Sequence, residues 1–466
     1  MNKEEPLTPF GRKFLQEEGN KVINFALNLK NSISLESVKA EFKNSILIQH
    51  PSFQSVLVRN TNTGEEYWKR GDVNLDKHIF LIQDIGHGDG STTSILSNDE
   101  IVNGYLADLS VSSPLSIDKP LWELHVLKDQ NCLVLRVNHA IGDGVSVMSL
   151  FLTMFRKFDQ PDQLPSIPKH NNRSSGQDMV TIVYVMGFLL RCLYLKDAKS
   201  TISGGHGVEL WSRKLATARF KLDDMKSVKN AVRNATINDV LFGVVTSGLS
   251  RYLDYHRASN SEGLQISGMA MVNLREQRGL QDMANLVKSS PVTASWWGNK
   301  FGYILLPIYP HKNVGNNPLR YVVNAKEMLD KKKLSLEAHI VYAITKSAMS
   351  LLGPKVTYLV TNRVMCHTSF TITNVVGPQE EVTFGGNPVT SLRATSSSSP
   401  HALTMHMISY AGKAEMNILV AKDTIPDPQF LAKCFEDSLL ELKEASTATS
   451  VKTWSEILFK YWWSSR

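Results

Sequence analysis

Residues 122–144, WELHVLKDQNCLVLRVNHAIGDG, decide the fold. Two apolar runs, Trp122 to Leu127 and Cys132 to Val137, flank a polar tetrapeptide, a pattern that predicts two strands joined by a turn. The polar, glycine-containing loop from Asn138 to Gly144 follows directly, and residues 145–158 predict an apolar helix. A loop between a buried strand and a helix suits a side chain that must face a cleft.

His139 and Asp143 are the residues of this loop that carry chemistry. A neutral histidine accepts a proton near pH 7 and can return it later. Because Gly142 and Gly144 favour a tight turn, we expect Asp143 to fold back, pair with an arginine and hold the loop in shape. The motif is short, and taken alone it fits equally a hydrogen-bonded loop histidine followed by a capping aspartate.

Outward from this loop, helical and strand-like patterns alternate along both halves of the chain, which predicts an α/β fold with two lobes. Ser34, Ser97 and Thr236 are predicted N-caps of helices. Prolines and polar residues are concentrated between residues 160 and 177 and indicate a linker. We therefore divide the chain into an amino-terminal lobe, a linker and a carboxyl-terminal lobe, at residues 1–159, 160–205 and 206–466.

The composition of the 466-residue chain excludes several classes of function. Hydrophobic residues make up 42% and charged residues 20%, which is ordinary for a globular protein. The net charge of +7 is compatible with an anionic membrane surface or a phosphorylated small molecule, and it is too diffuse to indicate nucleic acid. The four cysteines form no CxxC pair, so we expect neither a disulfide framework nor a metal site.

An apolar segment at residues 179–195 lies inside the linker. Residues 179–190 carry no charge, and the run reaches Leu195 only by including Arg191. A transmembrane helix needs about 20 apolar residues, whereas runs of about 10–14 are more often buried or interfacial. Three interpretations stay open: a single membrane span, a helix that docks on a membrane surface, and a core helix.

The His139-to-Gly144 element resembles the HxxxDG signature of the coenzyme-A-dependent acyltransferase superfamily. Further motifs, in order along the chain from Pro6 to about Leu442, are similar to those of the plant bifunctional wax ester synthase/diacylglycerol acyltransferases. The family often carries HHxxxDG, and Asn138 stands here in place of the first histidine. The motifs are Pro120-Leu121-Trp122-Glu123, Asn238-Asp239-Val240-Leu241, Val272-Asn273-Leu274-Arg275, Trp297-Gly298-Asn299 with Phe301-Gly302-Tyr303, Asn374-Val375-Val376-Gly377-Pro378 and His401-Ala402-Leu403-Thr404.

The resemblance implies a two-lobed fold like that of chloramphenicol acetyltransferase. Each lobe would be a mixed sheet flanked by helices, with an active-site tunnel between the lobes. The implied reaction transfers a fatty acyl group from acyl-coenzyme A to a long-chain fatty alcohol, to diacylglycerol, or to both. Acyl-coenzyme A is a co-substrate, so no cofactor is expected. The implied location is the cytosolic face of the endoplasmic reticulum membrane, with the plasma membrane as a second option. The alternative is a protein that keeps the fold and binds lipid or a partner without turnover.

The resemblance also implies roles for particular residues. His139 is the candidate general base, Asp143 a structural carboxylate with Arg275 as its candidate partner, and Gly144 part of the turn. Asn273 and Thr404 are the candidate donors to the oxyanion of the tetrahedral intermediate.

Two further motifs are candidates for substrate contacts. Pro120, Leu121 and Trp122 are candidates for the acyl path, and core packing is the alternative for Trp122. Asn238 and Asp239 are candidates for the tunnel wall, and simple capping of a helix is their alternative.

Overall fold

The structure is a computed structural model, and all statements below concern the residues it describes. These are residues 4–16, 21–60, 66–83, 85, 96–111, 114–168, 178–204, 207–256, 265–275, 280, 282, 285, 297–310 and 317–464.

The strands of this part of the chain form three sheets. A small antiparallel sheet has the order β1-β4-β3, a seven-stranded mixed sheet the order β5-β6-β7-β2-β14-β13-β8, and a six-stranded mixed sheet the order β11-β10-β12-β15-β16-β9, in the labels given next. The strands are β1 (Glu4–Pro6), β2 (Val22–Leu29), β3 (Ser55–Arg59), β4 (Glu66–Arg70), β5 (Ile79–Ile82), β6 (Trp122–Leu127), β7 (Cys132–Asn138), β8 (Phe155–Lys157), β9 (Arg213–Lys221), β10 (Ile266–Asn273), β11 (Phe301–Ile308), β12 (Phe370–Val376), β13 (Val382–Phe384), β14 (Asn387–Ser396), β15 (Leu403–Tyr410) and β16 (Lys413–Ala421).

Helices cover these sheets, and α11 (Glu337–Cys366) is kinked. Within helix α11, Gly353 has a left-handed φ of 79° and is followed by Pro354, so the helix bends there. The helices are α1 (Pro9–Phe14), α2 (Leu35–Lys43), α3 (Ile46–Gln49), α4 (Pro51–Gln54), α5 (Asn98–Val111), α6 (Gly144–Leu152), α7 (Asp178–Leu193), α8 (Leu222–Ala231), α9 (Ile237–Tyr255), α10 (Arg320–Leu334), α11 (Glu337–Cys366) and α12 (Pro428–Ser464).

Two large hydrophobic cores confirm the expected two-lobed α/β fold. One core is built on the seven-stranded sheet and the other packs α8, α9, α10 and α12 against the six-stranded sheet. A third cluster fills the junction between the lobes, with Phe10 and Phe14 of α1 against Phe301 and Tyr303 of β11 and Val341 of α11. Helix α1 is therefore tied to the interface between the lobes.

The hairpin expected from residues 122–144 is present, with Trp122 opposite Val137 and Leu127 opposite Cys132. The predicted N-caps are also confirmed, because the hydroxyls of Ser34, Ser97 and Thr236 each accept a backbone N–H three residues ahead.

The helix expected over residues 145–158 was predicted too long. It begins at Gly144 and ends at Leu152, and strand β8 at Phe155–Lys157 follows. Strand β8 pairs with β13, so its residues are held by a partner more than two hundred positions away rather than by local helical bonds. Pairing across this distance leaves no signal in local periodicity.

Strands β13 and β14 leave the second half of the chain and join the first sheet. Asn387–Ser396 pairs antiparallel with β2, from Val389 opposite Leu29 to Ser396 opposite Ile23. The division into residues 1–159, 160–205 and 206–466 stays a prediction, but residues 382–396 contribute to the sheet of the amino-terminal lobe. The crossing segment ties the two lobes together.

The apolar segment of the linker forms α7, a helix of 16 residues. At about 1.5 Å per residue this length falls short of a hydrocarbon core about 30 Å thick. Among the residues the structure describes, no helix combines the length and the apolar character needed to cross a membrane. The single-span interpretation of residues 179–195 therefore finds no support in the helices described.

Candidate active site

His139 lies directly after β7, where the first lobe meets the second. Its backbone N–H donates to the carbonyl of Lys21 at 2.8 Å, which anchors the residue to the segment before β2. Its imidazole stacks on the Phe14 ring of α1, with ring centroids 4.6 Å apart. The ring is half-buried, so it is held on one face while remaining open to a cavity.

Asp143 closes the loop through a buried ion pair. Its Oδ2 accepts from the guanidinium of Arg275 at 2.7 Å, and both side chains are less than 10% exposed. The same oxygen accepts the backbone N–H of Lys300, and Oδ1 accepts the backbone N–H and hydroxyl of Ser146, each at 3.0 Å. The expected pairing with Arg275 is confirmed, and Asp143 also caps α6.

Gly298 supplies the sharp turn of the site. It has a φ of 93°, which favours glycine, and its carbonyl accepts from Asp143 N, Ser146 Oγ and Arg275 Nη2. Gly144 was assigned to the turn, and this role needs correction. It is the first residue of α6, its φ is not left-handed, and the space around its Cβ position is open.

Asn299 orients the imidazole. Its amide nitrogen donates to the His139 carbonyl at 2.7 Å, which directs the amide oxygen towards the ring. That oxygen lies 3.4 Å from His139 Nδ1. Because an amide oxygen only accepts, Nδ1 carries the proton and Nε2 keeps its lone pair. The ring is thus in the tautomer that a general base requires.

A small cavity, partly open to solvent, lies between the lobes beside His139. Its lining is mostly aromatic and aliphatic, with a few hydroxyls and two lysine ammonium groups, and no carboxylate occurs among the described residues that line it. The lining residues are Lys13, Phe14, Lys21, His139, Met271, Phe301, Tyr303, Tyr358, Thr361, Asn362, Met365, Ser396, Ser397, Ser399 and Pro400.

Burial lowers the pKa of His139 to about 4. The nearby charges of Lys21 and Lys13 lower this pKa further, while Asp143 and the Asn299 hydrogen bond raise it. The imidazole is therefore neutral at pH 7 and able to accept a proton.

Pro120, Leu121 and Trp122 do not line this cavity. Trp122 is fully buried in the core of the first lobe, where its indole N–H donates to the Phe53 carbonyl and its ring stacks on His78. The alternative of core packing is correct for Trp122. The acyl path along these residues stays a prediction that the lining of the cavity beside His139 does not support.

Asn238 and Asp239 serve the start of α9. Asp239 forms a capping box with Thr236, in which each side chain accepts the other residue's backbone N–H. Asn238 is exposed and accepts from the side-chain amide of Asn374 at 2.8 Å. For Asp239 the capping alternative is correct, and neither residue lines the cavity.

The two candidate oxyanion donors are also placed elsewhere. The amide oxygen of Asn273 accepts from the backbone N–H and side chain of Arg275. Thr404 is buried at the second position of β15, and its hydroxyl has no partner among the described residues. Neither residue lines the cavity, so neither is placed to donate to an oxyanion formed there.

The sequence reasoning missed Asn299 and the residues of α1 and α11 in the site. Asn299 belongs to the motif Trp297-Gly298-Asn299, so that motif was the available signal. Lys13 and Phe14 belong to none of the motifs named above. They reach the site because α1 packs on α11 and β11.

Two family models match this chain, and each match includes a residue of the site described above. The family model "Wax ester synthase/diacylglycerol acyltransferase catalytic domain" matches residues 30–192, and the model "WS/DGAT C-terminal domain" matches residues 297–443. Together they cover more than half of the chain and include the His139 loop and Asn299.

Relatives and solved structures agree with these models. Wax ester synthases/diacylglycerol acyltransferases 5 and 4 of Arabidopsis thaliana are 33% and 32% identical, over 94% and 97% of this chain and 93% and 92% of theirs. The wax ester synthase/diacylglycerol acyltransferase of Marinobacter aquaeolei VT8 has the same fold, with a TM-score of 0.62, 18% identity, and 95% and 100% of the two chains covered. The chain therefore belongs to the wax ester synthase/diacylglycerol acyltransferase family, whose members are acyltransferases.

Proposed function

We propose that this chain transfers a fatty acyl group from acyl-coenzyme A to the hydroxyl of a long-chain alcohol or of diacylglycerol, with His139 as the general base. The strongest support is the neutral imidazole beside an apolar cavity, with Nδ1 directed to Asn299 and Nε2 left to accept a proton. The alternative is a protein that binds lipid in this cavity without turnover.

One imidazole is enough to carry the proton from the acceptor hydroxyl to the leaving thiolate. Nε2 of His139 takes the proton of the acceptor hydroxyl as its oxygen attacks the thioester carbon. The tetrahedral intermediate then collapses, the C–S bond breaks, and the imidazolium returns the proton to the coenzyme A thiolate. The products are the ester and free coenzyme A. No covalent acyl-enzyme is needed when both substrates meet at one base.

The cavity favours apolar substrates. Phe14, Phe301 and Met365 line it, and a long alkyl chain buried against them gains about 0.8 kcal/mol for each methylene removed from water. Both proposed acceptors combine such chains with one hydroxyl. The same lining supports a fatty acyl chain as the group transferred.

The test is thiol release from palmitoyl-coenzyme A with hexadecanol or dioleoylglycerol, with product ester measured in parallel. His139→Ala is expected to lower kcat about 10²–10⁴-fold, the usual contribution of a positioned base. The matched control is His339→Ala, which removes an exposed histidine of α11. Equal rates in wild type and His139→Ala would refute the assignment, and binding of hexadecanol without any product would favour the lipid-binding alternative.

We also propose that the protein docks on a membrane through a surface formed by α7 and α11. Ile182, Val183 and Met186 of α7 are 62%, 64% and 52% exposed, and Leu351 and Leu352 of α11 are 82% and 59% exposed. So large an exposed apolar area is typical of an interaction surface.

The charges and the position of this surface support a lipid partner. Helix α11 carries exposed Lys346, Lys355 and Arg363 and has no acidic residue after Glu337, which suits anionic lipid headgroups. The same helix contributes Tyr358 and other residues to the cavity wall, so lipids would lie close to the reaction centre. We expect this surface to face the cytosolic side of the endoplasmic reticulum, with the plasma membrane as a second option.

Flotation with vesicles of phosphatidylcholine and phosphatidylserine tests the docking surface. The double variant Leu351→Ser/Leu352→Ser is expected to reduce binding to vesicles, and Leu210→Ser, at a residue 75% exposed on another part of the chain, serves as control. Equal flotation of both variants and wild type would refute the assignment of this surface.

A further inference from the structure

Lys13 places an ammonium group in the reaction cavity. It is 4% exposed, lies in the last turn of α1 and lines the same cavity as His139. Its Nζ lies 5.7 Å from the centroid of the Phe14 ring, and that ring stacks on His139. The ammonium of Lys13 and the imidazole of His139 thus both lie near the ring of Phe14.

The ammonium has unused hydrogen-bonding capacity. Lys13 Nζ donates to the hydroxyl of Thr361 at 3.3 Å, and that hydroxyl in turn donates to the Thr357 carbonyl. An ammonium has three N–H donors, so the described residues leave two of them for a ligand. A buried cation without a carboxylate partner is costly, and a site that must hold negative charge offsets this cost.

Lys21, the second lysine of the cavity, is already engaged. Its Nζ donates to the Ser398 carbonyl. It therefore contributes a positive charge to the cavity while its ammonium is drawn towards the backbone of the β14–β15 connection. Lys13 has no such carbonyl partner among the described residues.

The reaction needs a donor that the sequence reasoning did not find. When the alcohol adds to the thioester, the carbonyl oxygen becomes an oxyanion, and Asn273 and Thr404 lie outside the cavity. We infer that Lys13 is a catalytic residue whose ammonium donates to this oxyanion, an inference that rests on the acyl transfer proposed above. The hydrogen bond forms as the C–O bond is made and is released when the C–S bond breaks, with no net transfer of the lysine proton.

The lysine remains protonated at neutral pH. Burial, with a smaller contribution from Lys21, lowers the pKa of Lys13 to about 8. The other titratable groups facing it in the cavity are Lys21, whose pKa burial also lowers to about 8, His139, and the hydroxyls of Tyr303 and Tyr358. Above pH 8 the ammonium is lost, so the rate is expected to fall on the alkaline side.

The main test compares Lys13→Met with Lys21→Met. Removing one oxyanion donor typically costs about 10²–10³ in kcat, and we expect this loss in Lys13→Met with little change in KM for hexadecanol. Lys21→Met removes the same charge from the same cavity and is expected to lose less than about tenfold. Equal losses in the two variants, or a Lys13→Met kcat within about threefold of wild type, would overturn the inference.

Equilibrium binding gives a readout that does not depend on turnover. Palmitate and hexadecanol have chains of equal length and differ in charge at the end that would approach His139. In Lys13→Met we expect palmitate to bind at least about tenfold more weakly and hexadecanol to bind as in wild type, because only the carboxylate of palmitate depends on a charge-assisted hydrogen bond. Parallel weakening of both ligands would indicate a damaged cavity and contradict a specific role for the ammonium. If wild type transfers no acyl group, the proposed function fails while this comparison still decides whether Lys13 holds an anion.

Two further variants guard against misfolding and separate the two lysines. Thr361→Val keeps the ammonium but removes the hydroxyl that orients it, and should give a smaller loss of kcat than Lys13→Met. Lys13→Arg should move the alkaline fall of kcat far to higher pH, since a guanidinium stays charged, whereas Lys21→Met removes only the smaller cause of the lowered Lys13 pKa and should move that fall less. An alkaline fall that moves only with Lys21 would assign it to the other lysine and overturn the inference.

Discussion

His139 is half-buried and His401 is fully buried, and burial lowers the pKa of each to about 4. The difference lies in what their nitrogens contact. Both ring nitrogens of His401 are paired, Nε2 with Thr368 and Nδ1 with Thr371, each at 2.8 Å. His139 has one nitrogen directed to Asn299 and lines a cavity with the rest of its ring. A lowered pKa therefore marks burial in both places, and only the open nitrogen beside a cavity marks a site.

The largest effect is expected from Arg275→Met, which removes the cation that holds the His139 loop. Asp143 would be left buried and charged without its partner, a change that typically costs about 3–5 kcal/mol. We expect a marked fall in the free energy of unfolding together with loss of acyl transfer. Urea denaturation and product assays would measure both.

A substitution that conserves the positive charge offers the control for that variant. Arg275→Lys keeps a positive charge but cannot make the contacts of Nη1 to Asp143 and Nη2 to Gly298 together. It should recover part of the stability and little of the rate. Full activity in Arg275→Met would show that the His139 loop keeps its shape without the ion pair.

The next effect separates the two histidines directly. His401→Leu leaves the hydroxyls of Thr368 and Thr371 without their ring partner, which should cost about 1–3 kcal/mol of stability. Because His401 does not line the cavity, the remaining folded protein should keep its kcat. His139→Leu should give the reverse pattern, with little loss of stability and a large loss of kcat. Thermal unfolding and steady-state rates, measured on both variants, decide between these outcomes.

Features of the site with a local sequence signal could be predicted, and features that depend on distant contacts could not. The hairpin of residues 122–137 follows from two apolar runs that flank a polar turn. The need of a buried carboxylate for a cation predicts an arginine beside Asp143, and the resemblance named Arg275. Strand β14 and the wall of the cavity on α11 depend on contacts across hundreds of residues, which no local pattern records. For Trp122 the sequence left the acyl path and core packing open, and only its burial in the first lobe favours packing.

A smaller effect is expected from Asn299→Leu. This change removes the acceptor for His139 Nδ1 and the donor to the His139 carbonyl, so the ring can adopt the other tautomer. The contact to Nδ1 is long, at 3.4 Å, and we expect kcat to fall about tenfold with a smaller change in KM. Asn299→Asp, which keeps an acceptor near Nδ1, should raise the pKa of His139. The loss of rate in acid should then begin at a higher pH. An unchanged pH profile in Asn299→Asp would contradict an orienting role for this side chain.

The smallest effect is the acid dependence of the rate. With a pKa of about 4, His139 is unprotonated above that pH, so kcat/KM should change little between pH 7 and pH 5. A histidine with its usual pKa of about 6.5 would lose about twentyfold over the same interval. Buried His401 and His406 also have lowered pKa values, so the folded protein loses stability as the pH falls from neutral, and each assay needs a check of the folded fraction. A steep fall of kcat/KM between pH 7 and pH 6 in folded protein would mean that His139 is solvated when substrate binds. His139 and His401 would then share a lowered pKa only while the cavity is empty.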